Sequence, residues 1–464
     1  MHHKLKYLVI INNMNFIKIL KLDTGSKRSI EAKKNIILGA FIRGLNIVIG
    51  LLMVSLTIDY LDPVKYGIWI TLSSLIAWFS FFDIGLGNGL RNKLAEALAE
   101  NNVEIARRYI STTYFIISII MLVLVMIIVP IFSFIDWNSI LNVSVEIISA
   151  RILKFLAIII LVFFGFNFIF KLINTILIAD QKPALSSLLN LLGNVLSLIL
   201  VFLLLKSEES SILYLGFAIS FAPALILLIS TLIFFSRKYK KFRPSYKDID
   251  LKLIPNLFSL GVKFFIIQIA AIILYQTNNI IITQLFGPEK VTVFNISFKY
   301  FSVLMMLFSI IISPFWSAFT EAYTKNDYGW INNVMNKLFK FWGVLVLLSV
   351  FMLVVSNWVY SVWVGDDIII SFEISLFVAI WMLFNTWNTI FSTFLNGVGK
   401  IKLQLYIGIT AAILNIPLAI LFGNNIGVKG VLLANIFVSL FGAIVYPIQY
   451  KKIIYKTAKG IWNE

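Results

Sequence analysis

Cysteine is absent from the 464-residue chain, and histidine occurs only as His2 and His3. Disulfides, thiol catalysis and most transition-metal centres are thereby excluded. Charge is scarce: Asp, Glu, Lys and Arg make up 13% of the residues, against about a quarter in a soluble domain. Catalytic signatures are missing too. There is no HExxH, no GxSxG and no Walker A motif, so no built-in ATP drive and no enzyme activity are expected. The run NGVGK at 396–400 lacks the first glycine at Walker spacing and the Ser/Thr after lysine, and reads as a turn between two helices. The glycine run GLGNG at 85–89 follows no strand and is not a dinucleotide fingerprint. Its Gly85 and Gly89 form a small-xxx-small pair suited to bending or close packing.

What is present is apolar surface. Hydrophobic residues account for 60% of the chain, and mean hydropathy is +0.93. No soluble fold of this size has enough interior to hide that much. In lipid the backbone must satisfy itself, which leaves helices or a closed barrel. The apolar runs are continuous and about 20 residues or longer, whereas barrel strands are short and alternate. The sequence predicts an all-α membrane protein with about twelve spanning helices. Runs bounded by charge and turn residues place them at 35–58, 67–90, 110–134, 152–178, 185–205, 212–235, 257–285, 291–319, 337–360, 373–396, 402–422 and 428–450.

The formal charge of +17 would suggest nucleic acid in a soluble protein. Here the basic residues fall between apolar runs, so they set topology and no nucleic-acid partner is expected. With the N-terminus inside, about 29 Lys and Arg lie on the cytoplasmic side and about five outside, which puts both termini in the cytoplasm. The segment RKYKKFRPSYKDIDLK at 237–252 alone holds seven, and KKIIYKTAK at 451–459 holds four. The chain divides into a leader (1–34), a six-helix lobe (35–235), a basic linker (236–256), a second six-helix lobe (257–450) and a basic tail (451–464). The apolar stretch 7–20 is interrupted by Asn12, Asn13, Asn15 and Lys18 and has no small-residue cleavage site, so it is not a cleavable signal. External loops are short, and the longest, 135–150, leaves room for little folded structure.

The two lobes carry an internal repeat. At an offset of 225, DPVKYGIW (62–69) faces GPEKVTVF (287–294), and LAEALAENN (94–102) faces FTEAYTKND (319–327). Pro63 falls opposite Pro288, Lys65 opposite Lys290, and Arg43 opposite Gln268. At an offset of 218, ADQK (179–182) faces GVGK (397–400). Six helices is an even number, so both halves enter from the same side and the repeat is parallel.

An ionisable group inside an apolar span costs a few kcal/mol, so it normally meets a partner or a wet cavity. Arg43, Asp83, Lys171, Lys263 and Lys299 are such groups. At about 1.5 Å per residue, Arg43 and Asp83 lie at matching depth, roughly 12 Å from the cytoplasmic boundary. They are candidates for an ion pair or a cavity lining. Lys171 and Lys263 are near enough to the inner boundary to snorkel to headgroups. Lys299 has Asn295 one turn away on the same face. Asn278 and Asn279 add polarity to the seventh span, either as interhelical glue or as cavity lining. An interior with several cations and one acid favours an anionic solute. The segment 91–108 reads as an amphipathic helix on the inner surface, with Arg91 and Lys93 at the mouth of the second span.

The stretch FFDIGLGNGLRNKLAEALAENN (81–102) resembles the second span and following loop of bacterial polysaccharide flippases. These are the O-antigen and capsule repeat-unit translocases of the multidrug/oligosaccharidyl-lipid/polysaccharide exporter superfamily. YQTNNIIITQLFGPEKVTVFNISFKYF (275–301) and ILNIPLAILFGNNIGVKGVLLANIF (413–437) resemble the family's seventh to eighth and eleventh to twelfth spans. The resemblance implies two six-helix bundles in a V around a central cavity. It implies alternating access in the bacterial cytoplasmic membrane. The implied substrate is an oligosaccharide on an undecaprenyl pyrophosphate carrier, with membrane lipids and other polysaccharide-assembly proteins as partners. By position, Arg43, Lys263 and Lys299 are this chain's candidates for the basic cavity lining such proteins carry. No cofactor is implied, and coupling to a proton or sodium gradient is left open.

Two other classes compete. A cation-coupled drug antiporter of the same superfamily would need a membrane carboxylate, and Asp83 is nearly alone in that role. A membrane glycosyltransferase or polymerase would need a sizeable external loop with catalytic carboxylates or histidine, and the outer loops are short.

Overall fold

The computed structural model describes residues 27–83, 85–207, 209–258, 261–312 and 315–464; side chains of 27–37, 81–83, 88, 99, 256, 258, 261–273, 317 and 321 lie outside that description. The first lobe comprises α1 (Lys27–Leu61), α2 (Pro63–Ala77), α3 (Leu86–Ala99), α4 (Val103–Ile131), α5 (Ala150–Phe170), α6 (Leu172–Ala179), α7 (Pro183–Leu204) and α8 (Ile212–Ser236). The second comprises α9 (Gly261–Phe286), α10 (Pro288–Ile312), α11 (Phe315–Thr324), α12 (Tyr328–Val364), α13 (Phe372–Val398), α14 (Lys402–Ile426) and α15 (Val428–Ile454). Helix starts are set by side-chain caps. Asp62, Asn102, Ser149, Asp327 and Ser371 each accept a hydrogen bond from the backbone N–H three residues on, satisfying a donor the helix leaves free. Each lobe has its own apolar core.

Among the described residues, ten helices are long and apolar enough to cross a membrane. They fall on ten of the twelve predicted spans. The second span is broken: α2 ends after 15 residues, and a 3-10 turn covers Trp78–Asp83. Gly85 at φ 79 then redirects the chain into α3. Gly89 is where the backbone of Leu257 comes close, because a Cβ there would sit 2.0 Å from its carbonyl oxygen. The seventh span is α9, 26 residues long.

Two expectations need correction. Residues 91–108 are not one surface helix. Asn101 turns left-handed at φ 55, and Asn102 caps α4, so the segment splits between the end of α3 and the first turn of α4. The loop 135–150 is also more structured than its length suggested. It holds a short helix, Trp137–Ile140, with Trp137 and Asn138 buried. Asn138 donates to the carbonyls of Val143 and Ile148 at 3.2 and 2.9 Å.

The repeat is visible in packing and in backbone. Helix α7 packs on α1 and α8, as α14 packs on α9 and α15; α8 packs on α5, as α15 packs on α13. Left-handed residues recur in register: Asp62 (φ 115) with Gly287 (φ 85), Asn101 (φ 55) with Asn326 (φ 58), and Gln181 (φ 57) with Gly399 (φ 74). The first two pairs keep the offset of 225 and the third the offset of 218.

The basic linker and tail lie at one end of the bundle, here called the basic end. The turn after α6 is pinned there: Asp180 accepts from Lys182 (2.5 Å), Lys238 (2.8 Å) and the Tyr239 hydroxyl (2.6 Å). Burial acts to raise the Asp180 carboxyl, and those three donors outweigh it, so its pKa lies below the ordinary carboxylate value.

Candidate functional site

The lobes meet at the end opposite the basic one. Val54 and Ile58 of α1 and Tyr66 of α2 cluster with Val293 and Ile296 of α10, Tyr360 and Val364 of α12, and Ile368 and Ile370 beyond it. Trp363 donates its indole N–H to the carbonyl of Leu51 at 2.9 Å. Helices α2 and α10 cross with repeat symmetry. Thr292 donates to the carbonyl of Pro63, while Gly67 packs so tightly on Pro288 that a Cβ would lie 1.8 Å from its oxygen. Residues 63 and 288 are repeat partners, and so are 67 and 292, so one contact is the image of the other.

Polar contacts continue the seal inward. Thr71 and Thr283 share a hydroxyl hydrogen bond of 2.6 Å. Asn279 donates to Ser74 at 2.7 Å and accepts from Asn295 at 2.9 Å. The predicted residues Asn279 and Asn295 therefore belong to a buried cross-lobe network. Sequence reasoning passed over Thr71, Ser74, Thr283 and Thr292, because neutral hydroxyls in an apolar run carry no charge signal. The repeat register held one clue: Ser74 is the counterpart of Lys299. The loop 135–150 adds a clasp. Asn142 donates to the carbonyls of Thr283 and Gln284, both at 3.2 Å, and Gln284 donates to those of Ser139 (3.1 Å) and Ile140.

Toward the basic end α1 is open around most of its circumference. A Cβ added at Gly39, Gly44 or Gly50 would meet nothing within 4 Å. Leu38, Phe41, Leu45, Val48 and Leu52 form one exposed apolar stripe on α1, which suits lipid. Arg43 is exposed on the other side. It lies 11 residues, three turns, from Val54 on the face whose far end packs on the second lobe. Lys299 is part-exposed, two turns from Thr292 and one turn from Asn295 on the first-lobe face of α10. Among the described residues its ammonium has no ion-pair or hydrogen-bond partner. At about 1.5 Å per residue from these packed positions, Arg43 lies roughly 6 Å nearer the basic end than Lys299. Both cations thus lie on helix faces that pack against the other lobe further along.

The other predicted residues are distributed. Asn278 is fully buried inside the second lobe, accepting from Asn435 at 2.9 Å, which accepts in turn from Asn415 at 2.9 Å. That is an interhelical amide ladder. Lys171 joins α5 to α6 and lies over the Phe168 ring at 3.6 Å. Lys93 pairs with Glu96 at 2.8 Å, and Arg91 is exposed at the basic end. The side chains of Asp83, Lys263 and Gln268 lie outside the described residues. On the sealed face a cleft of about 660 Å³ is lined from both lobes, with the repeat partners Lys65 and Lys290 beside Asp62, Glu289 and Asp367.

Comparison with known proteins places this geometry. The polysaccharide biosynthesis protein family profile matches residues 32–320, and the MatE profile matches 263–421. A Yersinia pseudotuberculosis protein provisionally named for O-antigen export is 23% identical over 408 residues, 84% of this chain and 89% of the relative. A Salmonella typhi protein provisionally named as an O-antigen transporter is 22% identical over 393 residues, covering 82% and 87%. Among solved structures, an inward-facing multidrug resistance MATE family transporter of the MOP superfamily aligns with a TM-score of 0.71 at 14% identity, over 90% of this chain and all of that one. The outward-facing form of such a transporter gives 0.63 at 15% identity, over 92% and 96%. At these identities the likeness concerns the fold: two six-helix lobes of the MATE type.

Proposed function

Because the chain belongs to the polysaccharide biosynthesis protein family, whose profile spans more than half its length, we propose that it flips a lipid-linked oligosaccharide repeat unit across the bacterial cytoplasmic membrane. The O-antigen export names of its relatives support that substrate class. The carrier in this reading is undecaprenyl pyrophosphate. The basic end faces the cytoplasm, by the positive-inside rule. The observation that supports the reading is the cross-lobe seal at one end, with Arg43 and Lys299 on the faces of α1 and α10 that lead away from it.

The chemistry follows from charge and access. A pyrophosphate entering a low-dielectric space loses hydration, and cations lower that cost. Arg43 meets the headgroup first and Lys299 receives it deeper. The polyprenyl tail stays in lipid, along α1. Rocking the lobes then breaks the sealed-end contacts and closes the basic end, exposing the glycan on the far side. A proton or sodium gradient is the available drive, because no nucleotide-hydrolysing motif is present. In cells lacking the native gene, Lys299→Ala and Arg43→Ala should lower surface glycan while the protein stays inserted; Lys299→Arg should retain it. Wild-type glycan in both alanine variants would remove the cavity assignment.

A drug antiporter of the same superfamily is the second reading, favoured by the MatE match in the second lobe. It predicts restored efflux of cationic drugs in a pump-deficient host, with dependence on Asp83.

A further inference from the structure

Both lobes end in a basic segment folded back beneath them. After α8 the linker lies along the basic end of α4: Ser245 donates its N–H to Ser111 at 3.0 Å, and Asp250 donates its N–H to Thr112 at 2.9 Å. Its acids turn inward, Asp248 to Arg107 at 2.9 Å and Asp250 to Arg108 at 3.7 Å. After α15 the tail does the same under the second lobe. Gln449 donates to the carbonyl of Trp462 at 3.2 Å, Lys402 donates its N–H to that of Glu464 at 3.1 Å, and the Glu464 carboxylate pairs with the Lys402 ammonium.

The outward faces also match. On the linker, Lys240, Lys241, Arg243, Lys247 and Lys252 are exposed, and none forms an ion pair among the described residues. Tyr246 and Leu251 stand among them, 79% and 56% exposed. On the tail, Lys456 and Lys459 are exposed with Tyr455 (74%) and Ile461 (36%). Each strap thus presents cations, one tyrosine and one aliphatic side chain, and pairs its acids with basic groups of its own lobe, Asp248 and Asp250 part-buried and Glu464 exposed. Each begins within a few residues of the end of a spanning helix.

We propose that the linker and the tail are a matched pair of lipid-binding straps, one beneath each lobe, that hold anionic phospholipid headgroups. Phosphodiester anions complement the ammonium and guanidinium groups. Tyrosine sits at the interface with its ring toward the acyl region and its hydroxyl toward water. The aliphatic residue anchors beside it. A free phosphate ion has no use for the exposed Tyr246, Leu251, Tyr455 and Ile461, which is why the lipid is the occupant. Held this way, each lobe is tied to the membrane at its own closing segment, so the lobes rock as separate bodies.

The test is lipid retention by the full-length protein in neutral detergent, read by native mass spectrometry with phosphatidylglycerol or phosphatidylcholine added. The wild type should retain phosphatidylglycerol over phosphatidylcholine on the order of tenfold. Combined replacement of Lys240, Lys241, Arg243, Lys247 and Lys252 by Gln should remove most of that preference, and Lys456→Gln with Lys459→Gln a smaller share. If the multiple variant does not fold, Tyr246→Ser with Leu251→Ser, which keeps every charge, should still show a partial loss. Equal retention of the two lipids by the wild type, or an unchanged preference in all variants, would overturn the proposal. So would its abolition by equimolar inorganic phosphate, indicating a phosphate site, or by a polyglutamate peptide, indicating an acidic protein partner.

Discussion

Gly67→Ala adds one methyl where α2 crosses α10. Its Cβ would lie 1.8 Å from the Pro288 carbonyl oxygen, far inside van der Waals contact, so the two backbones must separate. Overpacking of this kind costs about 1–3 kcal/mol. The clash lies between lobes, so rocking them apart at the sealed end relieves it. The cost then appears as a population shift of roughly five- to 150-fold toward the form open at that end. Gly430→Ala is the matched control. Its Cβ would lie 2.1 Å from the Phe422 carbonyl oxygen, but both residues belong to the second lobe, so rocking gives no relief and the cost falls on stability. The absence of cysteine makes the assay clean. Spin labels at Lys65→Cys and Lys290→Cys, on the two sides of the sealed-end cleft, report its width by pulsed electron resonance. Gly67→Ala should move the distribution to longer distances, and Gly430→Ala should lower the unfolding temperature with the distribution unchanged. A Gly67→Ala distribution identical to the parent's would refute the reasoning that this contact is a gate.

Asp62 occupies a region of backbone space that glycine alone adopts freely, at φ 115 and ψ 160, and its repeat counterpart is Gly287. Asp62→Gly should stabilise the protein by about 1 kcal/mol, strain relief exceeding the loss of a cap and an exposed ion pair; a lower unfolding temperature would contradict this. The Asp180 carboxyl is held below its ordinary pKa, so its stabilisation is present above the unfolded value near about 4 and disappears as pH falls through the folded value. Thermal stability should therefore drop on acidification below about pH 4, and drop less in Asp180→Asn; parallel pH profiles would exclude the linkage. Asn435→Leu leaves Asn278 and Asn415 without their shared partner and should cost about 1–3 kcal/mol, measured by denaturant unfolding in detergent. An unchanged midpoint would show that the ladder contributes nothing.

Much of the fold was legible because lipid imposes simple rules. Continuous apolar runs had to be helices, and the repeat at 62–69 and 287–294 located Asp62 and Gly287, the left-handed turns that reset the chain before Pro63 and Pro288. Local order inside a span was harder to read. The 3-10 break at Trp78–Asp83 lies in an apolar run whose composition does not distinguish it from helix, though the glycines just beyond marked a bend. The order within the loop 135–150 was not legible either, because it comes from Asn138 and Trp137 packing inward, which no periodicity announces. In the candidate site, charged residues attracted attention and the sealing hydroxyls did not. Asn278 and Asn279 are neighbours in sequence, yet one faces the second lobe's interior and the other the opposite lobe, since adjacent helical positions point about 100° apart.

The central claim is that interior cations, with Lys299 the deeper of the two named, move an anionic, lipid-linked glycan. The direct measurement is flipping of a fluorescent polyprenyl-pyrophosphate oligosaccharide in vesicles reconstituted with the purified chain, followed by quenching from outside. The account predicts protein-dependent flipping that is lost in Lys299→Ala, retained in Lys299→Arg, and absent for a neutral lipid bearing the same glycan. Flipping at the wild-type rate in Lys299→Ala, or equal transport of the neutral lipid, would contradict it.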